Sequence, residues 1–365
     1  FFMKPKILII GSTGYLGTML LKFCHKENIK IFGITGYNNK KKLLSQKHKY
    51  NIRYSYSLNN KDEKIDFLNF LNNHKIDLVY FLDFGSKSLK YADLFLKNNS
   101  NSLIAIANKE MLIAGGSLLI NRIHKTKNKL IPLDSEHFSL INSNFNNENI
   151  NKIFITASGG PFYFNKKINL KYVTKKQVLS HPKWKMGVNN TIDSSNFINK
   201  ILEIYELSII FNIDISKIDF LMSKEAYVHS VILFKNQKTV LNCFDNNMII
   251  ALSYPLTFYY KFDLNKNNNN YLHLDNLKLE KFNDRRFKIN QFYRRFKVLN
   301  HKEIIQFMIL NNIAQSKYLK GNLKYNEIYD FIFRNITKIK TNHKFSSFDS
   351  ILRYIDLHNA KFTKN

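Results

Sequence analysis

Three glycines spaced three residues apart, Gly11, Gly14 and Gly17, stand directly between an apolar run (KILII, residues 6–10) and a stretch with helical spacing. A strand that turns through such glycines into a helix constrains the fold more than any other feature of the chain. Gly11 permits a tight turn, Gly14 lets backbone N–H groups approach a pyrophosphate, and Gly17 lets the helix pack against the strand. The GxxGxxG spacing is a variant of the dinucleotide fingerprint, and a glycine turn in another α/β protein has the same residues. The order strand, glycines, helix favours the dinucleotide reading.

The rest of the first third agrees. KIFGIT (30–35), DLVYFL (77–82), SLIAIA (102–107) and KLIPLD (129–134) read as buried strands, with room between them for crossover helices. Short apolar strands alternating with helices predict a doubly wound parallel sheet of Rossmann type. KIFITA (152–157) opens a middle region in which one helix is expected over 194–211, followed by mixed strands in IDFLM, SVILF and KTVLNCF. An Asn-rich polar stretch at 261–270 suggests a linker, and helical spacing resumes after about 290. The expected fold class is α/β: an N-terminal doubly wound sheet, a central α+β catalytic domain and a C-terminal helical domain.

Charge needs a separate argument. The 365 residues carry 56 Lys and Arg against 27 Asp and Glu, a formal net charge of +29. The lysines form no single motif or stripe, and they accompany an excess of Asn, Ile, Phe and Tyr, residue types with AT-rich codons. A codon-biased surface explains this better than a nucleic-acid partner, so no nucleic acid is expected. No apolar run approaches the roughly 20 residues that span a bilayer, so no membrane partner is expected either. The start FFMKPKILIIGSTG runs straight into a strand-like segment, with the expectation of no cleaved targeting peptide and a cytoplasmic location. Cys24 and Cys243 are isolated, which argues against disulfides, a cysteine metal site and a cysteine nucleophile.

Residue chemistry then suggests a site. After the second strand come Thr35, Gly36, Tyr37, Asn38 and Asn39, then Lys40, Lys41 and Lys42, with no acid among them. NAD sites usually place Asp or Glu there for the ribose 2′-hydroxyl, so lysines favour a 2′-phosphate and NADP; solvated surface lysines fit the same residues. If the fifth strand of this reading runs through Asp134 and Glu136, the two carboxylates share a face at i, i+2 and can hold a hard divalent ion; surface acids or a helix N-terminus fit the same pair. On the 194–211 helix, capped by Asp193 or Ser194, Asn199 and Glu203 stand at i, i+4 with Lys200 between them. Glu203 would complete an oxygen-ligand set, and Ser194, Asn199 and Lys200 would clamp a phosphate; a salt-bridged surface helix fits equally. The loop holding Ser158, Gly159 and Gly160 suits an anion or is an ordinary glycine turn, and the loop around Trp184, the only tryptophan, suits a lid over a polar substrate or a loop anchored to the core by its Trp.

The runs GSTGYLG, IAIANKEMLIAGG (104–116), PLDSEHFSLI (132–141), TASGGPF (156–162), HPKWKMG (181–187) and TIDSSNFINKILEIYE (191–206) together resemble the 1-deoxy-D-xylulose 5-phosphate reductoisomerase family. That resemblance implies domains at 1–133 (NADP-binding), 134–260 (catalytic and dimerising) and 291–365 (helical), with a linker at 261–290. It implies NADPH contacts at Thr13, Gly14, Tyr15, Leu16, Gly36, Tyr37, Asn38, Asn108, Glu110 and Gly187. It implies Mg²⁺ or Mn²⁺ on Asp134, Glu136 and Glu203, and sugar-phosphate contacts at Lys109, Ser135, Glu136, Ser158, His181, Ser194, Asn199, Lys200 and Glu203. Lys109, Asp134, Glu136, His181 and Glu203 would carry the catalysis, with Trp184 and Met186 on a lid. The implied protein is a homodimer that rearranges and reduces a keto-sugar phosphate in isoprenoid-precursor synthesis. The family's Gly-Lys-Asn is Gly36-Tyr37-Asn38 here, which removes a cation that Lys40, Lys41 or Lys42 would replace. Ser223-Lys224-Glu225-Ala226 and a shortened 244–255 are further departures, and a catalytically decayed homologue is the rival reading.

Overall fold

A computed structural model describes residues 4–180, 187–264, 277–337 and 344–363. The chain forms two compact units, Phe1–Ile141 with Asn247–Leu272, and Asn142–Asn246 with His273–Asn365.

In the first unit β1 (Ile7–Ile10), α1 (Tyr15–Lys26), β2 (Gly33–Gly36), α2 (Lys40–Lys49), β3 (Tyr54–Ser57) and α3 (Lys61–Asn73) lead to β4 (Leu78–Phe81). Then follow α4 (Ser88–Asn98), β5 (Leu103–Ile106), α5 (Lys109–Lys125), β6 (Lys129–Pro132) and the short α6 (Ser135–Phe138). All six strands are parallel, in the order β3-β2-β1-β4-β5-β6. β1, β4 and β5 are buried along their whole length, as strands covered by helices on both faces must be. Each large apolar side chain buried there stabilises by about 1.5–3 kcal/mol. The excess asparagine has a structural use: Asn39, Asn60 and Asn108 cap α2, α3 and α5, each accepting from a backbone N–H three residues on. Strand order reverses between β1 and β4, and the crevice beyond the strands' C-terminal ends at such a point is where α/β folds bind ligands.

The second unit contains β7 (Ile150–Ala157), α7 (Lys175–Val178), α8 (Val188–Asn196), α9 (Ile198–Ile210), β8 (Ile218–Met222), β9 (Val228–Phe234) and β10 (Thr239–Cys243). The chain then returns to the first unit as α10 (Met248–Ser253), which packs on α1. Back in the second unit are β11 (Glu280–Lys281), α11 (Ile289–Lys297), α12 (His301–Lys320), α13 (Ile328–Asn335) and α14 (Phe348–Thr363). The mixed sheet has the order β10-β9-β7-β8-β11, with only β7 and β8 parallel. α9 lies against β7 and β8, and α12 gathers α13, α14 and α8 around it. An Asn300–Glu303 capping box starts α12, and Gly321, at φ +85°, ends it.

Several expectations are corrected. The first sheet has six strands, because the half-exposed β3 joins its edge. The second strand begins at Gly33, three residues later than read. The strand expected through residue 134 stops at Pro132, since the chain turns there into α6. The single helix over 194–211 is two helices, interrupted at Phe197. Residues 247–264 belong to the first compact unit, and β11 belongs to the second. No described helix is long and apolar enough to cross a membrane.

Candidate active site

The glycine turn has no room for a side chain at Gly11 or Gly17. A Cβ on Gly11, at φ +94°, would lie 2.5 Å from Asp83 N, and one on Gly17 would lie 2.5 Å from Gly11 O. Both obstacles are backbone, so neither can move aside. Gly14 is the N-cap of α1 and brings no capping side chain, the arrangement of a helix start that binds an anion. Thr13 packs against Gly36 at the end of β2, and its carbonyl accepts from Lys42 Nζ at 2.8 Å. Tyr15, Tyr37 and Asn38 are exposed, and Leu16 is half-buried. Of the three lysines, Lys40 pairs with Glu63 at 2.6 Å, Lys41 is exposed, and Lys42 alone reaches the glycine turn.

Beyond β4 lies a polar cluster. Asn108 caps α5 through its Oδ1, while its Nδ2 donates to Asp83 Oδ1 and to Gly85 O, each at 3.1 Å. Ser88 donates to the other Asp83 oxygen. Burial pushes the Asp83 carboxyl up to about 6, and the hydrogen bonds from Ser88 and Asn108 offset only part of that. Burial likewise raises Glu110, against a hydrogen bond from the Gly85 backbone. Asp83 was not singled out from sequence. Its signal is a charged residue directly after an all-apolar strand, on the edge where ligands bind.

The first unit also presents the leading carboxylates. Asp134 is the N-cap of α6, and Glu136 stands in its first turn, so the two converge through a helix start and not through strand pleating. Lys109, at the start of α5, places Nζ 2.7 Å from Asp134 Oδ2. Ser135 is hydrogen-bonded to Glu136 Oε2.

The second unit holds the phosphate-clamp candidates. Phe197, at φ +70°, separates α8 from α9 in the left-handed region, a conformation costing about 1–2 kcal/mol for a residue with a side chain. Neither Asp193 nor Ser194 caps a helix, because both lie inside α8. Asp193 instead accepts from Asn311 Nδ2 at 3.0 Å and Gln315 Nε2 at 2.5 Å. On α9, Lys200 Nζ stands 2.6 Å from Glu203 Oε2, Asn199 donates to the other Glu203 oxygen, and both Lys200 and Glu203 are buried. The expected i, i+4 arrangement is thus present, on a buried face and not a solvated one.

The Ser158 loop meets this break directly. A Cβ on Gly160, at φ +54°, would lie 3.2 Å from both Ser194 O and Ser195 Cα. Arg286 then fastens the chain that follows, donating to Phe162 O at 3.0 Å and to Asn165 O and Ile168 O at 2.9 Å. Asp284 holds that guanidinium at 2.8 Å. Burial raises the Asp284 carboxyl, but Arg286 and Lys166 outweigh it and bring it to about 2. Gly187 is the exposed N-cap of α8. His181, Trp184 and Met186 lie outside the described residues. Cys24 is buried in the first unit's core, which pushes its thiol far above the range of a nucleophile.

The carboxylates Asp134, Glu136 and Glu203 offer hard oxygen donors, which suit Mg²⁺ or Mn²⁺. The Lys109 and Lys200 ammonium groups stand beside Asp134 and Glu203.

Comparison with known proteins places this geometry. Residues 130–211 match the model of the 1-deoxy-D-xylulose 5-phosphate reductoisomerase C-terminal domain, and residues 7–108 match the NAD dependent epimerase/dehydratase family. The 1-deoxy-D-xylulose 5-phosphate reductoisomerase of Pelagibacter ubique is 32% identical, across 95% of this chain and 93% of its own. The solved reductoisomerase of Zymomonas mobilis in complex with NADPH has a TM-score of 0.85 at 19% identity, covering 99% of each chain. A reductoisomerase in complex with NADPH, fosmidomycin and magnesium has a TM-score of 0.82 at 19% identity, covering 99% of this chain and 98% of its own. At that identity the structures establish a shared fold.

Proposed function

This chain belongs to the 1-deoxy-D-xylulose 5-phosphate reductoisomerase family, and we propose that it converts 1-deoxy-D-xylulose 5-phosphate to 2-C-methyl-D-erythritol 4-phosphate with NADPH and a divalent ion. The observation that carries this reading is the pairing of two ligand candidates with buried or half-buried lysines, Asp134 with Lys109 and Glu203 with Lys200. Each is a carboxylate already paired with a cation.

Residue roles follow from chemistry. Asp134, Glu136 and Glu203 would hold Mg²⁺ or Mn²⁺ as an all-oxygen set. When bound, that ion supplies Lewis acidity to neighbouring oxygens of the keto-sugar phosphate, and NADPH supplies the hydride. Lys109 pairs with Asp134 and offers a donor to substrate oxygens. Ser158, Ser194, Asn199 and Lys200 take the phosphate, so binding energy far from the reacting carbons orients them. His181 adds a substrate donor, and the Trp184 and Met186 segment excludes water as a lid.

NADPH is assigned to Thr13, Gly14, Tyr15, Leu16, Gly36, Tyr37, Asn38, Asn108, Glu110 and Gly187. The glycine turn that rejects a Cβ at Gly11 and Gly17 and the Lys42 amine beside it support that choice. The division into a cofactor region to 133, a catalytic and dimerising region to 260 and a terminal helical region from 291 belongs to the same proposal. So do the homodimer and the cytoplasmic location.

The test is deoxyxylulose phosphate-dependent oxidation of NADPH with and without Mg²⁺ or Mn²⁺. Turnover that requires the ion is expected. A folded, metal-loaded protein that neither turns over nor binds a phosphonate hydroxamate inhibitor would overturn the reading and leave a decayed homologue.

A further inference from the structure

The interruption at Phe197 frees backbone groups that a continuous helix would have bonded internally. Two of them are met by the C-terminal helical layer. Tyr325 donates its hydroxyl to Ser195 O at 2.8 Å, and Tyr329 donates to Asn196 O at 3.0 Å. Both tyrosines are buried. Tyr329 belongs to α13, and Tyr325 lies in the turn of 3₁₀ helix just before it. The two carbonyls are consecutive, and they are the last two before the left-handed residue. Without those hydroxyls the break would bury two poorly satisfied carbonyls beside a strained Phe197.

What the break positions is the phosphate clamp. Ser194 precedes Phe197 by three residues, and Asn199 and Lys200 follow it by two and three. A straight helix would rotate these two groups differently about one axis. Gly160 of the Ser158 loop packs on Ser194 O and Ser195 Cα, so the carbonyl that Tyr325 holds belongs to the residue on which that loop rests.

We propose that Tyr325 and Tyr329 are positioning residues for the phosphate site, holding the Phe197 break through the carbonyls of Ser195 and Asn196 so that Ser158, Ser194, Asn199 and Lys200 face one anion. The inference rests on the assignment of those four residues to the substrate phosphate. It gives the terminal helical layer a part in substrate affinity without touching substrate. A purely structural role predicts a loss of stability with unchanged affinity among the molecules that stay folded. A positioning role predicts a selective loss toward phosphate.

Tyr325→Phe, Tyr329→Phe and the double variant remove only hydroxyls, so ring packing is kept. KM for deoxyxylulose phosphate should rise on the order of tenfold in the double variant, the scale of two lost hydrogen bonds. KM for NADPH should stay within about twofold of wild type, because the cofactor residues belong to the first unit, apart from Gly187 at the opposite end of α8. Inorganic phosphate, followed by ³¹P line broadening, supplies a readout that does not need turnover. Its affinity should fall in the variants by a similar factor. Should wild type bind phosphate but not turn over sugar phosphate, the functional reading fails while this inference is still decided by the phosphate titration. Unchanged KM and phosphate affinity in folded single variants would overturn it, as would an equal rise in both KM values.

Discussion

Lys200 Nζ lies 2.6 Å from Glu203 Oε2, with both side chains almost wholly out of water. A buried pair of this kind adds little net stability, but removing one member strands the other charge, at about 3–5 kcal/mol. Glu203→Gln is therefore expected to abolish metal-dependent turnover and also to lower stability by about that amount. Lys200→Met combined with Glu203→Gln leaves no stranded charge and should recover most of the lost stability with no activity. Denaturant midpoints beside turnover rates check this. Full activity of Glu203→Gln at limiting metal would remove it from the ligand set.

Glycine positions at the dinucleotide turn should differ in their tolerance. Gly17→Ala drives a Cβ into Gly11 O and Ser12 Cα at 2.5 and 2.6 Å, both backbone. At Gly36 the nearest atom is Thr13 Cγ2 at 2.9 Å, which belongs to a side chain that can rotate. Gly17→Ala is expected to lose NADPH binding and on the order of 1–3 kcal/mol of stability. Gly36→Ala should remain folded, with a modestly raised KM for NADPH. Cofactor titration and thermal melts of both variants test the contrast.

Cofactor choice should depend on Lys42 more than on Lys40. Lys42 reaches the Thr13 carbonyl, whereas Lys40 is engaged with Glu63. Lys42→Ala should raise KM for NADPH on the order of tenfold while leaving KM for NADH nearly unchanged, and Lys40→Ala should change little. Kinetics with both cofactors decides this, and an equal effect of Lys42→Ala on both would deny the lysine a part in reading the 2′-phosphate.

Asp83 should leave a signature in the pH dependence of stability. Its carboxyl holds a proton in the folded protein up to about pH 6, against 3.8 for an ordinary aspartate, because burial disfavours the charge. A raised pKa means that the stabilising contribution is complete below the unfolded value and lost as pH rises through 6. Asp83→Asn removes that loss. The melting temperature of the variant relative to wild type should therefore climb between about pH 4 and 6 and level off above. A flat difference across that window would show that Asp83 titrates normally.

Much of the first unit was legible because burial on both faces leaves a plain mark. β4 reads LVYF and β5 reads LIAI, and no water-facing residue interrupts them. β3, with the sequence YSYS at a sheet edge, is half-exposed and lacks that mark. The i, i+4 relation of Asn199 and Glu203 was readable from helical spacing, but its burial was not, since that depends on what packs against α9. The Phe197 break escaped because neither Gly nor Pro marks it. Ser195 and Asn196, poor helix formers amid an apolar pattern, were the available signal. Asp134 and Glu136 were found as a pair under the wrong geometry, because Pro132 ends its strand where an apolar run alone suggests continuation. Arg286, Tyr325 and Tyr329 act on backbone carbonyls far along the chain, and no motif records such partners.

The order of strands in the first sheet has a consequence for how the molecule comes into being. β1 precedes the other five strands of its sheet in the chain and ends in the middle of that sheet, so assembly grows outward from it in two directions. On one side β2 and β3 follow at short chain separation and close inexpensive loops. On the other, β1 must wait for β4, a larger excursion with a larger entropic barrier, before β5 and then β6 can dock. Asp134 follows β6 by two residues. The first metal-ligand candidate is thus fixed in place only when the final strand of its sheet has found its neighbour, so a nascent or partly unfolded chain has no ordered Asp134 with which to capture an ion.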